Sequence, residues 1–388
     1  MFVNVVSIVK KLLVGCLMIS VVLSNDFASA ATRSKAWHLE AGNQALYESN
    51  IFHSFADSAE TNAFLNSLQA TLSYRAGRLT RIRHMFQGYT ELEIYPSYSS
   101  RNKSSFGIRY EPIWRYSRHG NLQLGVDFAR RKKDLVDDDG QVLARTLKKW
   151  ELDLSGTNNY NLGPLRTQLG LGYSDDNYDE RDTIAIVGGT RTTVSLISYD
   201  YHAYNWLARV GFQITPRLEI YGRHRGEQRS YDERRTYSVR YGAYKGRPFE
   251  IREYRENTFE TGLNYSFFRL NEIALGFDFV RRHENFENFY GFDQGQYRAT
   301  IRLRPGARHK TVATFRFKKK DYDNYWNSRI GRVNRVWIEY ADFQIDHDYR
   351  LSDMVTLTAY LKNFNKVSND RAYDYQDFTV GTGVRVEW

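Results

Sequence analysis

The chain has 388 residues, a formal net charge of +10 and a mean hydropathy of −0.61. It holds 29 Tyr, 23 Phe and 27 Gly but only 6 Pro and one Cys, which excludes a disulfide framework. Soluble chains of this length ordinarily divide into two or more domains joined by linkers, yet neither a linker nor a helical pattern interrupts this sequence. No apolar run after Leu23 approaches the ~18 residues of a membrane-spanning helix, which excludes a helical membrane protein.

The N-terminal segment has the pattern of a secretory signal peptide. Lys10 and Lys11 precede an apolar run over 12–23, and small residues follow up to Ala30. We therefore predict a signal peptide over 1–30 and one domain over 31–388. An alternative is that Leu13-Val14-Gly15-Cys16 is a lipid-attachment box with Cys16 as the lipidation site. The apolar core before Cys16 would then be shorter than the usual ~7 to 15 residues.

From about residue 35 onward, apolar and polar residues alternate in stretches of ~10 or more, the period of β-strands. In the last stretch, one face carries Phe378, Val380, Thr382, Val384, Val386 and Trp388, and the other carries Thr379, Gly381, Gly383, Arg385 and Glu387. Four further stretches, within 122–129, 165–173, 259–267 and 297–304, follow the same plan. The chain therefore consists of a series of long strands.

The connections between these stretches alternate in length. Short turns are predicted at 118–121, 161–164, 215–217, 268–271, 305–309 and 351–353. Longer polar connections are predicted at 134–145, 174–200, 228–255, 284–295, 320–334 and 365–373. Transmembrane barrels pair short periplasmic turns with longer external loops in this way. This plan gives about 16 strands, with both termini on the periplasmic side.

The fold class is therefore predicted as all-β, a transmembrane antiparallel up-and-down β-barrel of about 16 strands. A soluble β-sandwich also alternates, but its strands are usually ~5 to 6 residues long, whereas a transmembrane strand takes ~9 to 11. Aromatic residues at the ends of several stretches fit interfacial girdles. Two irregularities are expected: a bulge near Ala341 and Asp342, and a hairpin above the membrane formed by 183–187 and 192–197.

Ten arginines are candidate lumen and substrate-binding residues, because 40 Arg against 15 Lys carry the positive charge. They are Arg298, Arg302, Arg304, Arg109, Arg115, Arg166, Arg209, Arg223, Arg316 and Arg385. Guanidinium groups lining a narrow aqueous pore attract anions. The alternative is that they pair with inward acids and leave little net field; the predicted acids are Glu91, Glu93, Glu111, Glu151, Asp153, Glu260 and Asp278. Tyr95, Tyr221 and Tyr360 are predicted inward-facing surfaces for stacking sugars.

Other chemistries have weaker signals. The acidic tip 137–140 lacks the spaced ligands of a calcium loop, and the histidines show no metal-ligand spacing, so neither a metal nor a cofactor is predicted. No local catalytic motif occurs, although a barrel enzyme acting on lipid or peptide could assemble its residues from separate strands. Export to the envelope disfavours nucleic acid as the partner of the arginines. Expected partners are outer-membrane lipid and lipopolysaccharide, whose phosphates could contact Lys318, Lys319 and Lys320.

The C-terminal segment from Val380 through Val384 and Val386 to Trp388 resembles the signal read by the outer-membrane barrel-assembly machinery. That signal is an alternating apolar strand with an aromatic last residue, usually Phe, so Trp388 is a departure within the pattern. The resemblance implies a Gram-negative outer-membrane protein.

The segment Tyr47-Glu48-Ser49-Asn50-Ile51-Phe52 resembles a Tyr-Asp-Ser-Asn-Ile-Phe segment of a β-barrel porin family that includes exopolysaccharide-export proteins. It differs at Glu48, where Asp is usual. The resemblance implies an outer-membrane channel that exports an exopolysaccharide, expected to be anionic and to involve polysaccharide synthesis and export proteins as partners. A general anion-preferring diffusion porin and a barrel enzyme remain as alternatives.

Overall fold

A computed structural model describes residues 37–49, 62–76, 81–136, 142–179, 182–187, 190–195, 200–235, 251–268, 270–285, 290–326, 335–369 and 374–388. The predicted signal peptide over 1–30, Cys16 and the acidic tip 137–140 lie outside the described residues. In the part of the chain that is described, no helix is long and apolar enough to cross a membrane.

Long strands make up almost all of the described chain. They are β1 (Trp37–Glu48), β2 (Ala63–Ala76), β3 (Ile82–Ile94), β4 (Lys103–Trp114), β5 (Gly120–Val136), β6 (Val142–Leu162), β7 (Leu165–Tyr178), β8 (Asp182–Val187), β9 (Thr190–Ser195), β10 (Tyr201–Thr215), β11 (Leu218–Arg235), β12 (Ile251–Phe267), β13 (Asn271–Glu284), β14 (Phe292–Leu303), β15 (His309–Trp326), β16 (Arg335–Arg350), β17 (Val355–Ser368) and β18 (Tyr375–Glu387). A single turn of 3-10 helix, Ser99–Arg101, lies between β3 and β4.

Sixteen of these strands form one closed antiparallel barrel. Each strand pairs with its neighbour in the chain, except that β7 pairs with β10 across the separate β8–β9 hairpin. The barrel closes where β1 pairs with β18, from Glu40 opposite Glu387 to Glu48 opposite Thr379. Closure leaves no edge strand with unpaired backbone groups, which a sheet in a bilayer requires. The predicted fold class and strand number are confirmed. The predicted hairpin is present as β8 and β9, but its second strand spans Thr190–Ser195, and residues 196 and 197 lie outside the described residues.

The short turns all lie at the end of the barrel where β1 begins and β18 ends. The two-residue turn at 163–164 between β6 and β7 contains Gly163 with a φ of 57°, a conformation that glycine adopts without steric cost. In outer-membrane barrels the short-turn end is periplasmic. We call the two ends the short-turn end and the long-connection end.

The predicted long connections are shorter than expected, because several strands continue past the membrane zone. Strand β5 extends to Val136, β11 to Arg235 and β15 to Trp326, well into segments predicted as loops. Above the bilayer both faces of a strand meet water or protein, so an apolar outer face is no longer needed. Loss of alternation therefore marks the end of the membrane zone and not the end of the strand.

The predicted bulge near Ala341 and Asp342 is wrong. Strand β16 pairs without interruption through this region with β15 and β17. The alternation changes phase because the inner face itself changes character: Val336, Ile338 and Tyr340 point inward in a buried apolar cluster, while Asp342 begins the polar wall below them. In the sequence, a change from apolar to polar side chains on the inner face therefore resembles a shift in strand register.

Candidate functional site: the inner wall of the barrel

The barrel is apolar outside and polar inside. Large apolar side chains such as Ile108 and Leu171 are 66% and 74% exposed on the outer face, as lipid-facing residues must be. The alternate residues include buried charged groups such as Asp127, Glu260 and Asp342. Since successive side chains of a strand point to opposite faces, the register of the strands assigns each predicted residue to one face.

Eight of the ten predicted arginines lie within strands on the inner face: Arg109, Arg166, Arg209, Arg223, Arg298, Arg302, Arg316 and Arg385. Arg115 and Arg304 lie just beyond the ends of β4 and β14, at the short-turn end, and both are exposed. The main-chain nitrogen of Arg115 donates to the carbonyl of Arg81, and that of Arg304 donates to Asn271 Oδ1. These two arginines therefore border the mouth of the barrel.

The inner-face arginines pair with carboxylates of nearby strands. Arg316 Nη2 lies 2.5 Å from Asp342, and Arg302 Nη1 lies 2.9 Å from Glu272. Arg385 donates to Asp348 over 3.2 Å. These contacts agree with the predicted alternative that the arginines are held by inward acids, although the sequence did not identify these three carboxylates as the partners.

In these pairs the guanidinium is more exposed than the carboxylate that holds it. The Arg109 side chain is 41% exposed and its partner Asp127 only 10%, and Arg316 is 43% exposed against 10% for Asp342. Pairing therefore leaves the acids recessed against the strands and the guanidinium groups facing the lumen. Two pairs toward the long-connection end have the reverse order: Glu227 is 28% exposed against 23% for Arg229, and Glu256 is 28% exposed against 16% for Arg282.

Glu260 is the most heavily used of these recessed acids. Its Oε1 accepts hydrogen bonds from Tyr221 Oη at 2.7 Å and Arg298 Nη2 at 2.7 Å, and its Oε2 accepts one from Arg223. The Tyr221 ring lies across Gly262, where a Cβ would come within 2.7 Å of the phenol oxygen. The absence of a side chain at position 262 lets the phenol reach the carboxylate.

The other acids predicted as partners differ in whether they form an ion pair and with which cation. Glu111 lies 3.8 Å from Arg109, Glu151 lies 2.7 Å from Arg131, and Glu93 binds Lys103 at 2.9 Å. Glu91, Asp153 and Asp278 lie on the inner face and form no ion pair with a described residue. The acids that the prediction omitted, among them Asp127 and Glu219, lie on the same inward alternation. Partner choice, however, depends on register between strands, which alternation does not specify.

A belt of aromatic rings and cations surrounds the inner wall toward the long-connection end. Arg229 lies over the rings of Tyr201 and Tyr254 at 4.0 and 5.1 Å, and Lys320 lies over Phe292 and Tyr322 at 4.0 and 4.3 Å. Cation–π contacts of this kind are stronger when desolvated, and Tyr254, Phe292 and Tyr322 are all nine-tenths or more buried. This level of the barrel is packed, whereas the arginine level below it is open.

All three predicted inward tyrosines are on the inner side of the barrel. Tyr95 donates to Glu48 Oε2 at 3.0 Å and is only 2% exposed; burial raises its pKa well above the ordinary value, so it remains a neutral donor. Tyr221 holds Glu260, and Tyr360 lies opposite Asp346. The hydroxyl groups of Tyr95 and Tyr221 are therefore already bound by carboxylates of the wall.

The three lysines predicted to contact lipopolysaccharide do not share a face. Lys318 and Lys320 point inward, with Lys318 4.1 Å from the centre of the Tyr340 ring. Lys319 points outward, 3.4 Å from Glu339 and 5.7 Å from the Trp337 ring. Because side chains alternate along β15, Lys319 is the only one of these three lysines on the lipid-facing side. Within the described ranges, no group of His, Cys, Asp or Glu could hold a metal ion.

A cavity of about 610 Å³ opens in the inner wall between β6 and β14. One side is formed by small residues of β6, β7 and β10: Ser155, Thr157, Gly170, Gly172, Ser174 and Asn205. The other side carries Arg225, Asp278, Gln296 and Arg298. Arg225 was not among the predicted lumen residues, although it is two positions from Arg223 and so lies on the same face.

Comparison with solved structures finds outer-membrane proteins at low sequence identity. Acinetobacter baumannii OccAB4 is 8% identical, with a TM-score of 0.48, covering 92% of this chain and 99% of its own. An anion-selective porin from Comamonas acidovorans is 11% identical, with a TM-score of 0.44, covering 91% of this chain and 98% of its own. No curated protein matches the sequence.

A family model described as "Putative beta-barrel porin 2" matches residues 40–245, slightly more than half of the chain. The match begins within β1 and ends in the connection after β11. Together with the closed 16-strand barrel and its apolar outer face, it places the protein in the bacterial outer membrane. The chain is a member of this family of outer-membrane β-barrel porins.

Proposed function

We propose that the barrel is a passive, anion-preferring outer-membrane channel, not an enzyme, and that it exports an acidic exopolysaccharide. The observation that carries the anion preference is the unequal exposure within three ion pairs of the inner wall. The guanidinium groups of Arg109, Arg298 and Arg316 are a third or more exposed, whereas their carboxylates are 10% exposed or less.

This arrangement supports anion preference because the field in a narrow aqueous pore depends on which charges meet the water. A recessed carboxylate fixes its arginine in place but is itself shielded by the guanidinium in front of it. Rings of exposed basic groups favour anions in pores, and charged walls of low dielectric concentrate the attracted ions. Passing anions exchange from one guanidinium to the next without a single tight site.

Two features support a saccharide as the anion. Tyrosines are frequent on the inner wall, and rings such as Tyr360 offer flat surfaces beside charged groups. The segment starting at Tyr47 resembles the porin family that includes exopolysaccharide-export proteins. A polymer needs many weak contacts along its path, and a wall of alternating rings and guanidinium groups supplies them.

Ion selectivity of the refolded protein in a planar bilayer tests the anion preference. Under a salt gradient, the reversal potential of the wild type should show anion preference. The double variant Arg298→Gln/Arg316→Gln should reduce it. Arg281→Gln is the matched control, because Arg281 points outward and binds Asp293 at 2.8 Å, and it should leave the potential unchanged. A folded barrel that conducts no ions, or prefers cations, overturns the proposal.

Export is tested separately in the native host. A deletion strain should lose acidic polysaccharide from the cell surface and recover it with the wild-type gene but less with the double arginine variant. Normal surface polysaccharide in the deletion strain would overturn export and favour the general diffusion porin, which the same arginine arrangement also fits. Hydrolysis of a lipid or peptide by the purified barrel would overturn the proposal that it is not an enzyme.

A further inference from the structure

The cavity between β6 and β14 contains a cation that no carboxylate holds closely. Arg225 makes no hydrogen bond with a described residue, and its nearest carboxylate oxygen, Glu260 Oε2, is 3.9 Å away. Its side chain is 48% exposed. Arg302 is equally exposed, but it lies 2.9 Å from Glu272. Two arginines with the same access to the lumen therefore differ in whether a carboxylate already holds them.

The acids around Arg225 are already used by other cations. Glu227 accepts hydrogen bonds from Arg229 and from Tyr254 Oη at 3.0 Å, and Glu256 accepts two from Arg282. Both oxygens of Glu260 are occupied, as described above. Each of these carboxylates is already bound by another cation, and among the described acids only Glu260 comes within 4.0 Å of Arg225, so its guanidinium remains available to a ligand in the cavity.

The same margin of the cavity has an acceptor without a partner. Asp278 is 5% exposed and lies beside Glu260 in the register of β12 and β13. Its Oδ2 accepts a hydrogen bond from Gln296 Nε2 at 3.0 Å, while its Oδ1 has no hydrogen-bond partner. Buried carboxylate oxygens are ordinarily satisfied. This oxygen has less than 1 Å² of accessible surface, so it lies behind the cavity surface and is not itself a ligand contact.

The opposite margin is small and polar. Ser174 and Asn205 form a hydrogen bond of 3.3 Å with each other, and glycines at 170 and 172 keep the wall flat beside them. The volume of about 610 Å³ lies within the ~300 to 1,000 Å³ range of small-molecule sites. The cavity thus combines an exposed guanidinium with a mostly polar margin on which Leu207 is the one bulky inward side chain.

We propose that this cavity is a binding subsite for a sugar unit that carries a carboxylate, a step that rests on the proposed export function and names its substrate class. The carboxylate of the sugar binds Arg225 through both oxygens, the geometry that guanidinium groups favour. Sugar hydroxyl groups exchange hydrogen bonds with Asn205 and Ser174 on the opposite margin. Because four carboxylates, Glu227, Glu256, Glu260 and Asp278, surround Arg225, a singly charged carboxylate fits better than a doubly charged phosphate.

Isothermal titration calorimetry of the full-length barrel in detergent tests this proposal, with an oligogalacturonate as the probe. Wild type should bind it more tightly than a neutral maltooligosaccharide of the same length. Arg225→Gln should weaken binding about tenfold or more, and Arg225→Lys should weaken it less, because lysine keeps the charge but loses the paired donors. Arg302→Gln, the comparison of equal exposure, should weaken binding less than Arg225→Gln does, because Glu272 already holds Arg302.

A cavity-filling variant, Thr157→Phe, gives an independent test that retains the charge of Arg225. It should also lose binding while the gel mobility shift on heating shows a folded barrel. Equal losses of binding affinity in Arg225→Gln and Arg302→Gln would overturn the subsite, because binding would then depend only on the overall positive charge of the lumen. Equal binding of the neutral sugar would overturn carboxylate recognition.

The subsite and the channel can fail separately. Anion-selective conductance with oligogalacturonate binding that does not depend on Arg225 would overturn the subsite and leave the channel intact. Binding that depends on Arg225 in a barrel without anion preference would overturn the proposed channel selectivity and keep the subsite.

Discussion

Arg298 on β14 donates a hydrogen bond to Glu260 on β12, 2.7 Å away, across the intervening strand β13. Arg223 reaches the same carboxylate from β11 on the other side. One buried acid therefore ties together four adjacent strands of the inner wall and orients two guanidinium groups toward the lumen. The contact has consequences for both stability and selectivity.

Replacement of Glu260 by Gln should destabilise the barrel and alter its selectivity. It removes the charge that compensates two arginines, and breaking a buried ion pair by removing one partner costs about 3 kcal/mol. The free energy of unfolding should fall by about that amount in urea, followed by tryptophan fluorescence. Anion preference should rise, because Arg223 and Arg298 lose their neutralising partner.

The control for this prediction is Glu272→Gln. Glu272 is 31% exposed and pairs with the 48% exposed Arg302, and solvent-exposed ion pairs contribute about 0 to 1 kcal/mol. The loss of stability there should stay below about 1 kcal/mol. Equal losses in the two variants would contradict the role assigned to the burial of Glu260.

The sequence predicted the architecture well because one physical demand acts on every strand. Each strand must show an apolar face to lipid, so period-2 alternation and alternating connection lengths gave the strand number and the closed barrel. The same rule failed at Ala341, where the inner face becomes apolar around Val336 and Ile338. It also missed strand ends such as Val136, because the demand for an apolar face stops at the membrane surface.

The site was less predictable, because it depends on relations between strands. Alternation placed Arg223, Arg298 and Glu260 on the inner face, but it could not show that all three converge. The availability of Arg225 was still harder to predict, because it depends on which other cations the neighbouring acids bind. Such information lies in the register of β10 to β14, which no single stretch of sequence contains.

Gly262→Ala should destabilise the barrel by about 2 kcal/mol, in the range for forcing an extra methyl group into a packed site. A Cβ at this position would lie 2.6 Å from the Leu275 carbonyl oxygen and 2.7 Å from Tyr221 Oη. Tyr221 would have to move and would lose its hydrogen bond to Glu260. The midpoint of urea unfolding measures the effect.

Gly222→Ala is the matched control, because a Cβ at position 222 meets nothing within 4 Å. It lies on the outer face of β11, opposite Thr261. The midpoint should stay the same or rise slightly, since alanine restricts the unfolded chain more than glycine. A fall as large as that of Gly262→Ala would mean that strand propensity, and not the position of Tyr221, explains the result.

Phe292→Ala should increase single-channel conductance. Phe292 is 4% exposed in an inward-facing apolar cluster with Tyr322 and Ile338, so its ring occupies space inside the barrel that water and ions would otherwise fill. Truncation of a buried phenylalanine also costs about 3 to 5 kcal/mol, so folding must first be checked by heat-dependent gel mobility. Phe279→Ala removes an outward-facing ring and should leave conductance unchanged.

The last prediction concerns Trp388, which closes the seam of the barrel. Its main-chain nitrogen donates to the Leu39 carbonyl at 2.9 Å, and the Leu39 nitrogen donates to the Trp388 carbonyl at 3.2 Å. Its side chain is 42% exposed, as an aromatic ring at the membrane interface should be. Deletion of Trp388 removes both main-chain bonds and the aromatic terminus, whereas Trp388→Phe keeps both.

The amount of heat-shifting, folded protein in the outer-membrane fraction measures the outcome. It should fall several-fold on deletion of Trp388 and remain near wild type in Trp388→Phe. Trp114→Ala is the control, since Trp114 is a similarly exposed aromatic residue, 47% against 42%, at the short-turn end of β4 but away from the terminus. If Trp114→Ala impairs assembly as much as the deletion does, the requirement is for interfacial aromatic residues in general. If only the deletion impairs assembly, the terminal residue is read specifically, and the seam between β1 and β18 depends on it.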